Sequence, residues 1–167
     1  MSEWSQRTGD PVHETIQKYS DMVYRLAFCK TQNRFDAEDI YQDVFMKLFS
    51  EQRHFESEEH KKAWLIKTTV NMSINLIKSA WRRYTAGEKE TLPAAEHANA
   101  NPQREKLMAA LKSLSEKYRV VLYLHYYEDL STDKIAEITG ASPTAVRSQL
   151  MRGRKKLKRM IEEMEVD

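Results

Sequence analysis

Aromatic, amide and cationic side chains recur at spacings of three and four residues between positions 64 and 82, and no carboxylate lies among them. The set comprises Trp64, Thr68, Asn71, Asn75, Lys78 and Arg82. Aromatic rings stack on unpaired bases, amides hydrogen-bond base edges, and Lys and Arg bind phosphates. This combination suits the capture of an unpaired nucleic-acid strand. Trp64 alone is equally typical of a packing residue in a core or between domains.

A second candidate surface lies in the C-terminal part of the chain, where two helical patterns are separated by a short turn. Residues 132–139 form a helical pattern ended by Gly140, and Ser142 with Pro143 opens the next helix. This spacing is typical of a helix-turn-helix, whose second helix reads base edges in the major groove. The residues left exposed on its first turns are Thr144, Arg147, Ser148, Gln149, Met151 and Arg152.

These side chains differ in what they can recognise. Arg147 or Arg152 can bond guanine bidentately, Gln149 can bond adenine, and Ser148 can bond a base or a phosphate. The cations between 154 and 159 suit phosphates.

Both surfaces require helices that bury their opposite faces. Projection at about 100° per residue assigns residues to each buried stripe. In the helix that carries Trp64 the stripe is Ile66, Val70, Ile74, Ile77 and Trp81. In the last helix it is Val146, Leu150, Gly153, Leu157, Ile161 and Met164. Glycine costs a helix about 1 kcal/mol relative to alanine, so Gly153 predicts close helix packing at that position.

Capping residues and apolar periodicity predict the other helices. The first follows Asp10 and Pro11, the second opens at Asp36 and runs to about Glu51, and the third runs from Ser57 toward Tyr84. Inward positions are Ile16, Tyr19, Met22, Val23, Leu26 and Ala27 in the first, and Ile40, Val44, Phe45, Leu48 and Phe49 in the second. Further helices are expected near 103–113, 116–127, 132–139 and 143–164, the first of these with Leu107, Ala110 and Leu111 inward.

The segment 86–103 separates the two sets of helices. It contains small and polar residues, two prolines and no apolar periodicity, so it predicts a flexible linker. The expected architecture is all-α, with two small helical domains at 1–85 and 104–167. A chain of 167 residues that is 41% hydrophobic can bury the cores of two such domains.

Composition excludes several classes of protein. A single cysteine, Cys29, cannot form an internal disulfide or a Cys-rich zinc site. Only four glycines and four prolines argue against a turn-rich β fold and Gly-rich phosphate loops. The longest apolar run is residues 120–124, and the N-terminus lacks a leader pattern. We therefore expect a soluble cytoplasmic protein, with no catalytic residues, no metal and no cofactor.

Charge is unevenly distributed although the formal net charge is only +2. Residues 61–84 carry six basic side chains and no acid, and residues 144–161 carry seven and no acid. Such segments attract a polyanion because each neutralised phosphate releases counterions. Two solvated helix faces would have the same charge pattern, so charge alone leaves both interpretations open.

The order of these motifs resembles the extracytoplasmic-function (ECF) group of bacterial RNA polymerase sigma factors. Residues 36–49 (DAEDIYQDVFMKLF) are similar to region 2.2, which in the family docks on the polymerase. Residues 63–75 (AWLIKTTVNMSIN) are similar to regions 2.3 and 2.4, which open the −10 promoter element and capture a flipped base. Residues 114–122 and 126–157 are similar to region 4, whose recognition helix reads the −35 element.

The resemblance implies roles for individual residues. It assigns Asp39, Gln42, Asp43 and Phe45 to the surface that contacts the polymerase or to the face that supports this surface. Recognition and opening of the −10 element fall on Trp64, Lys67, Asn71, Asn75, Lys78 and Arg82, with Asn71 the best candidate for the base pocket. Reading of the −35 element falls on Thr144, Arg147, Ser148, Gln149, Arg152 and Lys155. Asn75 stands where the family often has aspartate, and Gly153 where alanine is usual.

The resemblance also implies partners. These are core RNA polymerase, through the β′ clamp helices and the β flap, together with promoter DNA and an anti-sigma factor. We expect no membrane insertion and a monomer when the chain is free.

Three other functions fit parts of the chain. An ordinary helix-turn-helix regulator with an N-terminal interaction domain explains the C-terminal half but not the stripe at 64–82. A di-metal carboxylate protein could use Glu51 and His54 with Glu38 or Asp43, but it needs a second Glu-x-x-His, which is absent. A helical adaptor could bind another protein through Glu38, Asp39 and Asp43, without promoter preference.

Overall fold

In a computed structural model of the chain, residues 11–84 and 102–165 are described, and their regular elements are all helical. The helices are α1 (Pro11–Thr31), α2 (Arg34–Glu51), α3 (Glu58–Tyr84), α4 (Pro102–Ser113), α5 (Glu116–Leu122), α6 (Thr132–Thr139) and α7 (Pro143–Glu165). A π-helical turn at Tyr123–Tyr127 continues α5. The chain divides into two compact units, Met1–Lys89 and Glu90–Asp167. Within the described ranges no helix is long and apolar enough to cross a membrane.

The first unit packs α1, α2 and α3 against one another. Its most deeply buried large side chains are Val23, Leu26, Ile40, Val44, Leu65 and Ile66. The predicted inward positions of α1 are confirmed from Tyr19 to Ala27, while Ile16 is half-buried. Asp10, the predicted cap of α1, lies outside the described residues.

The start of α2 differs from the prediction. The N-cap is Asn33 rather than Asp36, and its side-chain oxygen accepts hydrogen bonds from the backbone N–H groups of Phe35 and Asp36. Asp36 therefore lies in the first turn, where its charge favours the helix dipole. The prediction was wrong because both residues are good caps, and Asn33 comes first. The end of α2 at Glu51 is as predicted.

The start of α3 agrees with the sequence, because Ser57 accepts the backbone N–H of His60 at its hydroxyl oxygen. The buried face of α3 differs from the predicted stripe. Thr68, Thr69 and Ser73 are buried, whereas Ile74 is 37% exposed. The hydroxyls of Thr69 and Ser73 donate to the carbonyls of residues 65 and 69, both at 2.7 Å, so these polar side chains are buried without a lost hydrogen bond.

The second unit contains α4, α5, the π-helical turn, α6 and α7. Its helices begin and end close to the predicted positions, and α4 starts at Pro102, so the last two residues of the predicted linker belong to a helix. The remaining linker residues lie outside the described part of the chain. Ala110 is buried as predicted, but Leu107 is 39% exposed because only one face of α4 packs against α7.

The helix-turn-helix is set by three local features. Ser131 caps α6 by accepting the backbone N–H of Lys134 at its hydroxyl. Gly140 ends α6 in the left-handed region at φ 77°, as its sequence position predicts. Ser142 then caps α7 by accepting the backbone N–H of Ala145 at 3.1 Å. These features fix the sharp turn that separates α6 from α7.

Gly153 lies where α7 crosses α5. A Cβ atom placed on it would stand 3.3 Å from both the Leu122 side chain and the Tyr118 Cβ. The close packing predicted from this glycine is therefore confirmed. Val146 and Leu150 are buried on the same side of α7, and Leu157 and Ile161 are half-buried.

We expect Gly153→Val to destabilise the protein by about 1–3 kcal/mol, because the added carbons overfill the crossing of α5 and α7. Urea unfolding followed by circular dichroism measures this change. The matched control is Glu163→Val, an exposed position on the same helix. Equal stability of the two variants would contradict the packing argument.

Candidate nucleic-acid and protein interfaces

The exposed face of α3 carries the predicted strand-binding residues of the first unit. Lys67, Asn71 and Asn75 are exposed and follow one another at spacings of four residues, and Trp64 is half-buried at the start of the same face. Thr68 is 7% exposed and does not belong to it. Lys78 and Arg82 lie on the last turns of α3, but their side chains are outside the described ones. The face thus presents one cation and two amides beside an indole.

A cluster of ring systems extends this face into the loop before α3. The Phe55 ring packs edge-on against Trp64 at a centroid distance of 5.7 Å and against His60 at 5.5 Å. The guanidinium of Arg53 lies 5.4 Å from the centroid of the Trp64 ring. Trp64 is therefore part of a mixed aromatic and cationic group rather than of the buried core. Phe55, His60 and Arg53 were missed by the sequence reasoning, although an aromatic residue in the loop before a helix was a visible signal.

Arg53 is held in place by a carboxylate. Its Nε donates to Glu51 Oε2 at 2.5 Å, and this hydrogen bond lowers the pKa of Glu51. The Glu51 carboxylate is thus engaged in an ion pair with Arg53. This pairing disfavours the di-metal alternative, in which Glu51 and His54 would bind a metal. Within residues 11–84 and 102–165, no group of three or more His, Cys, Asp or Glu side chains could hold a metal ion.

Glu58 ties the start of α3 to α1. Its carboxylate accepts hydrogen bonds from Tyr19 Oη at 2.8 Å and from Lys18 and Lys61, each at 3.3 Å. The Tyr19 hydrogen bond, followed by those of the two lysines, lowers the pKa of Glu58 to about 2. Burial, with Glu58 beside it, raises the pKa of Tyr19 to about 12. This contact fixes the end of α3 that carries Trp64.

One face of α2 combines carboxylates with exposed apolar side chains. Asp39, Gln42 and Asp43 are exposed, as the predicted contact residues must be. Phe45 is 7% exposed and packs edge-on against Tyr41, so it can only support that surface. Phe49, which was expected to point inward, is instead 54% exposed.

Three exposed apolar residues make this α2 face unusual. Phe35, Met46 and Phe49 are each more than half exposed. Together with Asp39 and Gln42 they recur every three or four residues and therefore lie on one side of the helix. We call Phe35, Asp39, Gln42, Asp43, Met46 and Phe49 the α2 face. Sequence reasoning found its polar members and missed its apolar ones.

Helix α7, the predicted recognition helix, exposes most of the residues predicted to read DNA. Thr144, Arg147, Arg152 and Lys155 are exposed, while Ser148 and Gln149 are half-buried. Met151 is 51% exposed and lies one turn after Arg147. The Arg147 guanidinium lies 3.5 Å from the Thr144 hydroxyl oxygen, the first polar group on the helix. This end of α7 can therefore offer cationic, hydroxyl and apolar groups to a DNA groove.

Comparison with known protein families gives two matches in the order predicted. Residues 15–83 match the family described as sigma-70 region 2, and residues 104–157 match the one described as sigma-70, region 4. The chain belongs to the sigma-70 family. The first match covers most of α1, α2 and nearly all of α3, and the second covers most of α4 and the helix-turn-helix of this sigma factor.

The curated relatives of this chain include ECF sigma factors. The ECF RNA polymerase sigma factor SigE of Mycolicibacterium smegmatis is 28% identical over 87% of this chain, and the match spans 59% of SigE, less than two thirds of its length. RNA polymerase sigma factor SigV of Bacillus subtilis is 29% identical, with 84% of each chain covered. The ECF sigma factor SigM of Bacillus subtilis is 27% identical, with 88% of this chain and 93% of SigM covered.

Solved structures show the same fold. The sigma factor RpoE, determined in complex with the anti-sigma factor NepR from Bartonella quintana, gives a TM-score of 0.78 at 21% identity and covers 90% of this chain and 96% of RpoE. CnrH, determined with the cytosolic domain of CnrY, gives 0.65 at 19% identity and covers 93% of this chain and 92% of CnrH.

The contact of Glu58 predicts an acid-sensitive first domain in this sigma factor. Because folding lowers the pKa of Glu58 from 4.5 to about 2, its contribution to stability is complete above pH 4.5 and is lost as the pH falls toward 2. We expect Glu58→Gln to lower the urea midpoint at pH 6 and to reduce its dependence on pH between 4.5 and 3. The control Glu59→Gln, an exposed neighbour, should retain the wild-type dependence. An unchanged slope in Glu58→Gln would refute this role.

Proposed function

We propose that this chain is an alternative sigma factor, which binds core RNA polymerase and directs initiation at promoters with specific −10 and −35 elements. One observation carries the proposal. Each of the two sigma regions in this chain contributes a helical segment without carboxylates, at 61–84 in α3 and 144–161 in α7. A duplex regulator needs only one such surface, whereas promoter recognition at two separated elements needs both.

For the −10 element, we propose that the face of α3 holds the separated strand. Unstacking a base costs a few kcal/mol, and stacking on an aromatic side chain returns about 1–3 kcal/mol per base. The rings of Trp64 and Phe55 supply that stacking, and the amides of Asn71 and Asn75 supply hydrogen bonds to base edges. Lys67 contributes a phosphate contact, as do Lys78 and Arg82 further along the same helix.

For the −35 element, we propose that α7 enters the major groove with its N-terminal turns. Arg147 and Arg152 are the candidates for guanine, and Gln149 for adenine. Thr144 and Ser148 bind a base or a phosphate, and Lys155 binds a phosphate. Met151 adds an apolar side chain suited to a thymine methyl group.

The α2 face is the proposed docking surface for the polymerase β′ clamp helices. Its carboxylates Asp39 and Asp43 favour a basic partner, and Phe35, Met46 and Phe49 would be removed from water on docking. The second unit would bind the β flap. The polymerase performs all nucleotidyl-transfer chemistry, so the sigma factor itself acts as an initiation factor and not as an enzyme, in the cytoplasm and as a monomer when free.

We further propose control by an anti-sigma factor. RpoE was determined with an anti-sigma factor, and CnrH with the cytosolic domain of CnrY. An anti-sigma factor that covered the α2 face would compete directly with the polymerase for the same apolar side chains. Binding of the two partners would then be mutually exclusive.

In vitro transcription tests the proposed function. Purified chain and bacterial core polymerase are incubated with a library of double-stranded promoters, and the transcripts are sequenced. Initiation that depends on the chain and selects two sequence elements is the expected result. Absence of initiation, with duplex DNA bound by the chain alone, would instead favour a helix-turn-helix regulator.

We expect Trp64→Ala or Asn71→Ala to impair promoter opening more than duplex binding, by about tenfold or more, because both residues are proposed to contact only the separated strand. Holoenzyme affinity and transcription are compared on fully paired templates and on templates with an unpaired −10 segment. The defect in transcription should shrink on the unpaired template if opening is the affected step. Equal loss of duplex binding and opening would contradict this division of roles.

We expect Asp43→Lys to weaken binding to core polymerase by about tenfold or more, because it places a cation against a surface proposed to be basic. Fluorescence anisotropy of labelled chain with core polymerase measures this affinity. The matched control is Asp21→Lys, an exposed acid-to-lysine change on α1. Equal affinities for the two variants would remove Asp43 from the docking surface.

A further inference from the structure

Tyr126 and Arg154 are joined across 28 residues of sequence at the surface of the second unit. Arg154 Nη1 donates to Tyr126 Oη at 2.6 Å, and the guanidinium carbon lies 6.0 Å from the centroid of the tyrosine ring. Arg154 is exposed, and Tyr126 is 55% exposed. An exposed arginine held by a tyrosine from another element keeps most of its donors available for a ligand.

The surrounding packing fixes both side chains. The His125 ring packs edge-on against Tyr126 at a centroid distance of 4.9 Å, and its Nδ1 lies 2.9 Å from the carbonyl oxygen of Leu130, next to the cap of α6. On the other side, Gly153 allows α7 to approach Leu122, one turn before Tyr126. Arg154 follows Gly153 directly and therefore reaches the tyrosine.

Arg154 lies on the same side of α7 as Arg147. Seven residues separate them, which is about two turns and about 10 Å along the helix. Base-reading residues occupy the first turns of a recognition helix, so a cation this far along it is suited to the DNA backbone.

We infer that Tyr126 and Arg154 form a clamp for one DNA phosphate beside the −35 element. Tyr126 Oη accepts from Arg154 and so retains its own hydroxyl proton as a donor, while the guanidinium retains four further N–H donors. The two groups together can supply charge-assisted hydrogen bonds to the same phosphate. Because Tyr126 already orders the arginine, less side-chain entropy is lost when DNA binds. Tyr126 thus acts as both a ligand and a positioning residue. This inference rests on the proposed function for the identity of the DNA site.

Replacement of one DNA phosphate at a time by a neutral analogue tests the clamp. Holoenzyme containing the full chain is titrated with a selected promoter in which one phosphate at a time around the −35 element is a methylphosphonate. At one position, we expect the neutral phosphate to weaken wild-type binding about tenfold. Arg154→Gln should bind the unmodified promoter about tenfold more weakly, and Tyr126→Phe several-fold more weakly, with little further loss from that methylphosphonate.

Two control variants separate the clamp from general effects of charge and folding. Tyr127→Phe removes the hydroxyl of the adjacent tyrosine, whose ring stacks on Tyr123. Lys112→Gln removes an exposed cation in the last turn of α4, which carries no predicted DNA contact. Both should respond to the critical methylphosphonate as the wild type does. If Arg154→Gln shows the wild-type response at every position, the clamp is refuted.

A failure of the proposed function gives a different result. If wild-type holoenzyme selects no promoter, the chain alone is titrated with duplex DNA at several salt concentrations. The clamp then requires Arg154→Gln to reduce the slope of log K against log salt by about one, and Lys112→Gln to leave it unchanged. An unchanged slope for Arg154→Gln overturns the clamp independently of any sigma activity.

Discussion

Two long helices of this sigma factor must each bury one side while the opposite side carries cations with no carboxylate among them. The cations of α7 between 147 and 159 repel one another, and the first carboxylate that follows them is Glu162, 4.0 Å from Lys158. Stability must therefore come from the buried side, where Val146 and Leu150 pack and Gly153 permits close approach to α5. In α3 the corresponding burial includes Thr69 and Ser73, whose hydroxyls are satisfied within the helix itself.

Residues outside the proposed interfaces fix where α3 and α7 begin. Glu58 accepts hydrogen bonds from α1 and so holds the first turn of α3 in place. This contact positions the ring cluster around Trp64. Ser142 and Gly140 fix the start of α7. Acidic side chains lie at the start of α3 and on the α2 face, while the proposed DNA-facing surfaces lack them. The separation of charge along the chain thus matches the proposed separation of partners, with protein at α2 and nucleic acid at α3 and α7.

The sequence predicted the helices well because caps and apolar periods are local signals. Ser57, Gly140 and Ser142 mark helix ends in the structure as they do in the sequence. The sequence predicted less well which side of each helix is buried. Thr68 is buried and Ile74 is 37% exposed, the reverse of the prediction. The burial of Thr69 and Ser73 was missed because hydrophobicity alone does not reveal a hydroxyl satisfied by its own helix.

The remaining differences depend on tertiary packing. Phe49 is apolar yet lies outside the core, and the grouping of Phe55 with Trp64 and of Tyr126 with Arg154 depends on elements meeting in space. Spacing in the sequence contains no information on such pairs.

In the proposed function, this chain makes the polymerase open DNA rather than merely bind it. Permanganate reactivity of thymines in a linear promoter, with core polymerase alone, the chain alone and the two together, tests it most directly. We expect reactive, unpaired thymines around the −10 element only when both are present. Protection of duplex DNA by the chain alone, with no reactive thymines in the mixture, would contradict it.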